Sequence, residues 1–426
     1  MSRRGSLESL SGFNEYFSSS QRPPNMTERN HAIVFGAAGL LGWATVDQLL
    51  SNYPAEGSFD KVTVVINRPL SEAEFFWPED SASRPSLQIV SGVNLNSATE
   101  DLARQLEDKV QGVRDVTHVF YFVFNQVADD HTRECQVNCG IMQRVVDSLT
   151  SLTSHLKSFV YPGGTRGYGI YVPGGTFEAP LKESMADNLP DDYAKTVAYP
   201  WFRRILAEAS EGKQWTWCEV CPDAVVGFTP NGSGFSLALH WAQYLSLYAY
   251  NHGANEEPDP ERTEPPVEVP FPGNESGYGS LFTPVSSRVL GRIAVHASLN
   301  GGKCDAQIIN MADSATPTSF GRIWPALAGW FGLRGVGPAG DERSALKPGE
   351  YVQKNRHLFE REGLYKAVVA GVGGGSAQLD SVGYWLSFDR QLSLERLRTV
   401  GFTEERDPVE GWLEAFEKFR EAGIIM

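Results

Sequence analysis

Positive charge is scarce in this chain: 37 Lys and Arg stand against 52 Asp and Glu, a formal net charge of -15 at pH 7. That balance excludes the basic footprint of a nucleic-acid binder and would be repelled by an anionic membrane surface. Long apolar runs are missing as well. No uncharged apolar stretch reaches the roughly 18 residues of a membrane span, and the opening MSRRGSLESLSGFNEYF lacks the apolar core of a signal peptide. Cysteine is rare, five in 426 residues. An odd count without a secretory leader points to reduced thiols and a cytoplasmic compartment rather than a disulfide framework. Cys218-Glu219-Val220-Cys221 is a C-x-x-C, but it lies on a strand-like run, and no second C-x-x-C completes a zinc site. Cys135 and Cys139, four apart on a helix-like stretch, read as packing residues. No His/Asp/Glu spacing resembles a metal site, so the expected metal content is none, and no Gly-x-Ser-x-Gly elbow offers a serine nucleophile.

What is present is core material: 41% of residues are hydrophobic and 11% aromatic. Residues 1–28, rich in Ser, Arg, Asn and Pro, read as a flexible extension. Order is expected from about His31, where strand His31–Phe35 runs into a glycine loop and helix Leu40–Leu50. Strands follow at Val62–Ile66, Leu87–Val90, Thr117–Phe124, Ser158–Tyr161 and Trp215–Val220, with helices Ala98–Lys109, Glu134–Leu149 and Asp192–Ala209 between them. The alternation predicts an α/β fold with a doubly wound parallel Rossmann sheet over residues 29–228. Residues 229–426 read as a smaller, mainly helical cap or substrate domain, with helices Phe235–Tyr250, Gly321–Phe331, Glu350–Leu364 and Pro408–Ala422 and loops Gly253–Pro270 and Gly371–Gly375. Some of its segments return to the core, Ala306–Ile309 as one more strand.

The loop Gly36-Ala37-Ala38-Gly39-Leu40-Leu41-Gly42 leaves the first strand and opens a helix. Backbone amides and the positive helix end then face a pyrophosphate, and the absent side chains let it approach. Gly36, Ala38, Gly39, Leu40, Leu41 and Gly42 are therefore candidate cofactor residues. The second strand ends in Ile66-Asn67-Arg68, without the acid that binds a free ribose hydroxyl. The Arg68 guanidinium suits the 2′-phosphate of NADP(H), with Asn67 beside it. Asn94, after the third strand, stands where such folds meet the adenine.

Several further blocks, taken together with this loop, resemble the progesterone 5-beta-reductase and iridoid synthase-like (PRISE-like) group of extended short-chain dehydrogenases, in particular its fungal members, over residues 30–426. They are Thr117-His118-Val119-Phe120-Tyr121, Gly163-Gly164-Thr165-Arg166-Gly167-Tyr168-Gly169, Pro180-Leu181-Lys182-Glu183-Ser184, Trp215-Thr216-Trp217, Pro222-Asp223-Ala224-Val225-Val226-Gly227-Phe228 and Phe416-Glu417-Lys418-Phe419-Arg420. The resemblance implies NADPH-dependent reduction of an enone or carbonyl, with a tyrosine hydroxyl stabilising the enolate oxygen, in the setting of fungal secondary metabolism. It matches that tyrosine to Tyr199 and implies cofactor contacts from Pro222, Ala224 and Val225. Two departures stand out. Arg166 occupies the place of the family lysine and Gly167 that of its histidine, while Cys221 replaces the usual arginine before the proline.

Arginine is planar and effectively never gives up a proton. Three readings follow: Arg166 supplies the charge in place of lysine, the site performs non-redox cyclisation or isomerisation, or the protein only binds and senses nucleotide. Tyr168, in the same block, is a candidate second hydroxyl. Tyr193 and Lys195, two apart, do not make the Tyr-x-x-x-Lys pair of ordinary short-chain dehydrogenases. The aromatic helix after the sheet offers Phe235, His240, Trp241 and Tyr244 as walls of a pocket for a lipophilic small molecule. No nucleic acid or membrane partner is expected, and a homodimer is admitted.

Overall fold

The computed structural model describes residues 29–127, 130–254, 265–340, 347–372 and 377–426. Seven parallel strands form the main sheet: β1 (His31–Phe35), β2 (Lys61–Ile66), β3 (Ser86–Ser91), β4 (His118–Tyr121), β5 (Ser158–Pro162), β6 (Thr216–Pro222) and β7 (Gln307–Met311). Their order is β7-β6-β5-β4-β1-β2-β3. This is the doubly wound Rossmann arrangement, and the chain reverses direction across the sheet between β1 and β4. At such a switch point two loops diverge from the carboxyl ends of neighbouring strands and leave a crevice for a ligand.

The strands read as apolar runs because both faces are covered. Ala32, Val34, Phe120 and Val160 face one core; Ile33, Phe35, Tyr121 and Tyr161 alternate onto the other. On the second face lie α2 (Thr99–Lys109), α3 (His131–Leu152) and α4 (Tyr199–Ser210). The first is covered by α1 (Leu40–Leu50) and, from the second half of the chain, α6 (Ser287–Leu299). These two approach so closely at Gly291 that a Cβ there would strike the Ala44 carbonyl. Beyond the sheet, α5 (Leu237–Asn251), α7 (Phe320–Trp330) and α8 (Pro408–Glu421) gather around Trp241. That indole stacks on Trp412 at 5.3 Å and meets Phe320 and Trp324 edge-on.

Among the expected elements that are shorter or broken, two bear on the site. The run Thr117–Phe124 leaves the sheet after Tyr121, and its last residues turn into the crevice. The expected helix Asp192–Ala209 divides into a turn, Asp191–Ala194, and α4, which starts at Tyr199. The break frees the Thr196 carbonyl to accept from Arg166 at 2.7 Å. Pro200 falls in the first turn of α4, where no amide hydrogen is needed, so it fits the helix start rather than disturbing it. The extension 1–28 and parts of the two expected loops, 255–264 and 373–376, lie outside the described residues. Among the described residues no helix is long and apolar enough to cross a membrane, and all five cysteines are free thiols.

At the amino ends of the strands two imidazoles are buried. His31 bonds Thr63 Oγ1 at 2.8 Å, and His118 bonds Thr117 Oγ1 at 2.8 Å. Burial lowers His31 to about 4 and His118 to about 3, with Lys61 and Lys157 adding in the same direction. The folded state therefore refuses protons that the unfolded chain accepts, so this stability is complete above pH 6.5 and is lost as pH falls toward 3. In urea unfolding between pH 7 and pH 4.5, His118→Phe is expected to lose less stability than the wild type by about 2 kcal/mol. Parallel curves for the two proteins would show that His118 does not control this acid sensitivity.

Candidate functional site

The glycine loop is shaped by three close approaches. Gly36 has φ +76°, a left-handed backbone, and a Cβ there would lie 2.6 Å from the Phe122 carbonyl oxygen. Gly39 caps α1 from an extended conformation with no side chain over the helix end, and α1 has no acid in its first turn. Its leading amides therefore stay open to an anion. At Gly42 a Cβ would clash with the Gly36 carbonyl and stand 2.8 Å from Ala37 Cα, so Gly42 acts by seating the helix against the loop. Gly42→Ala is expected to abolish cofactor binding in a fluorescence titration while the protein stays folded by circular dichroism; retained affinity would show that the loop can yield.

Gly36, Ala38 and Gly39 open into a groove of about 490 Å³, joined by Asn67, Asn94 and the turn Phe122–Asn125. No residue of its lining carries a charge. Asn94 holds its own turn, with Oδ1 accepting from the Asn96 amide at 3.0 Å. Arg68 stands exposed just beyond Asn67. Leu40 is buried and Leu41 half-buried in the first turn of α1. Pro222 ends β6; Ala224 and Val225 follow it half-buried, with the Ala224 carbonyl accepting from Val285 at 2.9 Å. None of these last three lines the groove; the Pro222 carbonyl oxygen and the Tyr199 hydroxyl both lie against Gly164.

A second cleft, of about 650 Å³, adjoins the groove through Phe124, which lines both. Arg166 enters it from the turn after β5. One terminal nitrogen meets Glu134 Oε1 at 2.5 Å and the other donates to the Thr196 carbonyl, which fixes the guanidinium plane; its Nε is buried and unpartnered. Burial works against the Arg166 charge, but the Glu134 carboxylate more than offsets it and holds the guanidinium above its ordinary range. Glu134, in the first turn of α3, is itself buried and accepts from the Val127 amide at 3.0 Å.

Tyr199 begins α4, and its ring lies against Gly164 and Gly167. A Cβ on Gly164 would sit 3.2 Å from its hydroxyl and 3.8 Å from the Pro222 carbonyl oxygen. Glycine at both positions is what lets the phenol reach the ends of β5 and β6. Burial pushes the phenol above its usual range, and the Arg166 charge pulls the other way. Among the described residues the Tyr199 hydroxyl has no hydrogen-bond partner.

Four expectations need correction. The Tyr168 hydroxyl points away from the cleft to Asn310 Oδ1 at 2.6 Å, and the residue is 1% exposed. Trp241 is sealed in the aromatic core described above. Tyr244 packs between Tyr248 and Tyr351. His240 lies 1% exposed against Asp380, Nε2 to Oδ1 2.7 Å, beside a separate cavity of about 360 Å³ that shares only Gln126 with the cleft. Of the aromatic helix residues only Phe235 reaches the cleft. Tyr193 holds the Arg166 carbonyl with its hydroxyl at 3.0 Å, and Lys195 pairs with Asp192, so neither forms a Tyr–Lys couple.

Sequence reasoning missed Glu134, Tyr171, Trp385 and Arg390. Arg390, buried and held over the Phe282 ring at 4.8 Å, pairs with Asp223 at 3.2 Å. Asp223 in turn accepts from Thr165 Oγ1 at 2.9 Å. A guanidinium thus reaches the end of β6 from a distant segment, two residues past Cys221.

A family model described as a PRISE-like Rossmann-fold domain matches residues 32–426. The chain belongs to the PRISE-like family. Its relatives include the short chain dehydrogenase ausT of Aspergillus calidoustus, 29% identical over 92% of this chain and 94% of that protein. Another is the (S)-8-oxocitronellyl enol synthase ISY2 of Nepeta cataria, 22% identical over 88% and 85%. Among solved structures, the yeast methylglyoxal/isovaleraldehyde reductase Gre2 complexed with NADPH shares the fold at TM-score 0.55 and 11% identity, covering 93% of this chain and 100% of that one. This PRISE-like chain is thus of the short-chain dehydrogenase/reductase type, with the Rossmann crevice that nicotinamide dinucleotides occupy in such proteins. The glycine loop, tight enough that neither Gly36 nor Gly42 admits a Cβ and capped by no side chain at the end of α1, fits such a group.

Proposed function

We propose that the protein is an NADP(H)-dependent reductase of an enone or carbonyl in a lipophilic small molecule. The observation that carries this reading is the unpartnered Tyr199 hydroxyl, set beside the loop that brings Arg166 into a cleft joined to the nucleotide groove. Bound NADPH would supply hydride. Tyr199 donates a hydrogen bond to the substrate oxygen, an interaction that strengthens as negative charge develops there. Arg166 gives no proton; its fixed positive charge favours the phenolate side of that hydrogen bond, and Glu134 and Thr196 hold its guanidinium plane in place within the cleft. Gly164 leaves room for the Tyr199 hydroxyl, and Gly163 for the Glu219 side chain beside it. Arg68, exposed and next in the chain to Asn67 of the uncharged groove, supports preference for a 2′-phosphate. The fungal source of ausT supports a setting in fungal secondary metabolism.

The Arg166–Glu134 pair also supports a second reading, a cyclase or isomerase in which Tyr199 and Arg166 polarise a carbonyl without hydride transfer. A nucleotide sensor would bind and turn over nothing. Fluorescence titration with NADPH and NADH, followed by mixing the NADPH complex with lipophilic enones at the nicotinamide absorbance band, separates them. One NADPH oxidised per product supports the reductase; product of unchanged mass supports the isomerase. Arg68→Ala is expected to weaken NADPH about tenfold and NADH by less than twofold, since a lost charge-assisted contact is worth about 1.5 kcal/mol or more. Equal losses would remove Arg68 from the phosphate site.

A further inference from the structure

The cleft beside the nucleotide groove is built from rings and balanced charge. Phe124 follows β4, Tyr171 follows β5, Phe235 precedes α5, and Trp385 comes from the C-terminal part of the chain. They meet in two nearly perpendicular pairs: Phe124 with Phe235 at 6.4 Å and 80°, Tyr171 with Trp385 at 5.6 Å and 81°. The Arg166 guanidinium lies over the Tyr171 ring at 5.3 Å. Phe235 is 50% exposed, a large apolar ring left open at the edge of the cleft. The formal charges of the lining are one guanidinium, Arg166, and two carboxylates, Glu134 and Asp192. Arg166 is already neutralised by Glu134, and its terminal nitrogens are engaged. An incoming carboxylate or phosphate would meet a net negative wall and, among the described residues, no uncommitted Lys or Arg in the lining.

We infer that this cleft takes an uncharged substrate whose enone is conjugated with an aromatic ring, the ring contacting the edges and faces of the two pairs while the oxygen points toward Tyr199. The inference rests on the cleft being the substrate site of the proposed reductase. Its physical basis is directional. Phenyl and cyclohexyl rings bury comparable area, but only the flat, quadrupolar phenyl gains from edge-to-face packing. A merely greasy cleft would hold the bulkier saturated ring at least as well.

The test is calorimetric titration of the NADP⁺-loaded protein with three probes: trans-4-phenyl-3-buten-2-one, its cyclohexyl counterpart, and its para-carboxylate. The phenyl enone is expected to bind about tenfold tighter than the cyclohexyl compound, and the carboxylate at least about tenfold weaker than the phenyl parent. Trp385→Ala and Phe235→Ala should each shrink the phenyl preference to about twofold. A cyclohexyl enone bound equally well or better, a carboxylate bound as tightly as its parent, or no binding of any probe overturns the inference. Binding of the phenyl enone in this order, without NADPH oxidation in a parallel assay, would support the inference while removing the reductase reading. Oxidation with aliphatic enones alone would do the reverse.

Discussion

Tyr199→Phe is expected to lower turnover about 10²- to 10³-fold while leaving the dissociation constant for NADPH unchanged, the loss typical of removing one donor from a developing oxyanion. The ring is retained, so its packing on Gly164, Gly167 and Phe202 survives and the fold is untouched. Only the hydroxyl goes, and it makes no hydrogen bond within the described protein that its loss would break. Steady-state kinetics beside a fluorescence titration gives both quantities. Wild-type turnover in the variant would dismiss Tyr199 from the chemistry and shift attention to the buried Nε–H of Arg166, an unpartnered donor beside it.

The second large effect concerns stability. Replacing Arg390 by Met leaves the Asp223 carboxylate buried without its countercharge, and breaking such a pair costs about 3–5 kcal/mol. Burial already raises the Asp223 carboxyl, with Arg390 and Thr165 holding it down, so the variant would protonate Asp223 and become more pH-dependent. The double variant Arg390→Met/Asp223→Asn, with no charge to bury, is expected to regain most of the loss in urea unfolding. A single variant within 1 kcal/mol of wild type would mean that solvent reaches the pair.

How far the sequence shows the site depends on how local each rule is. The strand, glycine loop and first helix were readable because Gly39 and Gly42 answer to Gly36, a few residues away, even though Gly36 itself also answers to Phe122 in the turn after β4. Arg68 and Asn94 were singled out because each follows a strand end; Asn94 lines the groove, while Arg68 lies outside its lining. Tyr199 was singled out through family blocks, since nothing in Val197-Ala198-Tyr199-Pro200 alone marks a tyrosine for a role in the site. The aromatic helix was misread at Trp241 and Tyr244 because helical spacing tells which faces are apolar, not what covers them. Here α7, α8 and the segment carrying Tyr351 cover them. His240 was drawn away from the cleft by Asp380, a partner far along the chain. Glu134 carried a weak signal, an acid in the first turn of a helix just past a strand end. Trp385 and Arg390 carried none, because their partners Tyr171 and Asp223 come from another part of the chain.

The charge-free nucleotide groove has a consequence for how cofactor choice responds to its surroundings. If the groove takes NADP(H) as proposed, amide hydrogens and a helix end would hold its pyrophosphate at contact distance, where dissolved ions screen little, whereas the exposed Arg68 guanidinium would attract a 2′-phosphate through water. On this reading affinity for the common dinucleotide frame is nearly constant with ionic strength, and the margin between the phosphorylated and unphosphorylated forms is the part that salt erodes. Selectivity in this protein is then less a fixed constant of the pocket than a property shared with the solution around Arg68.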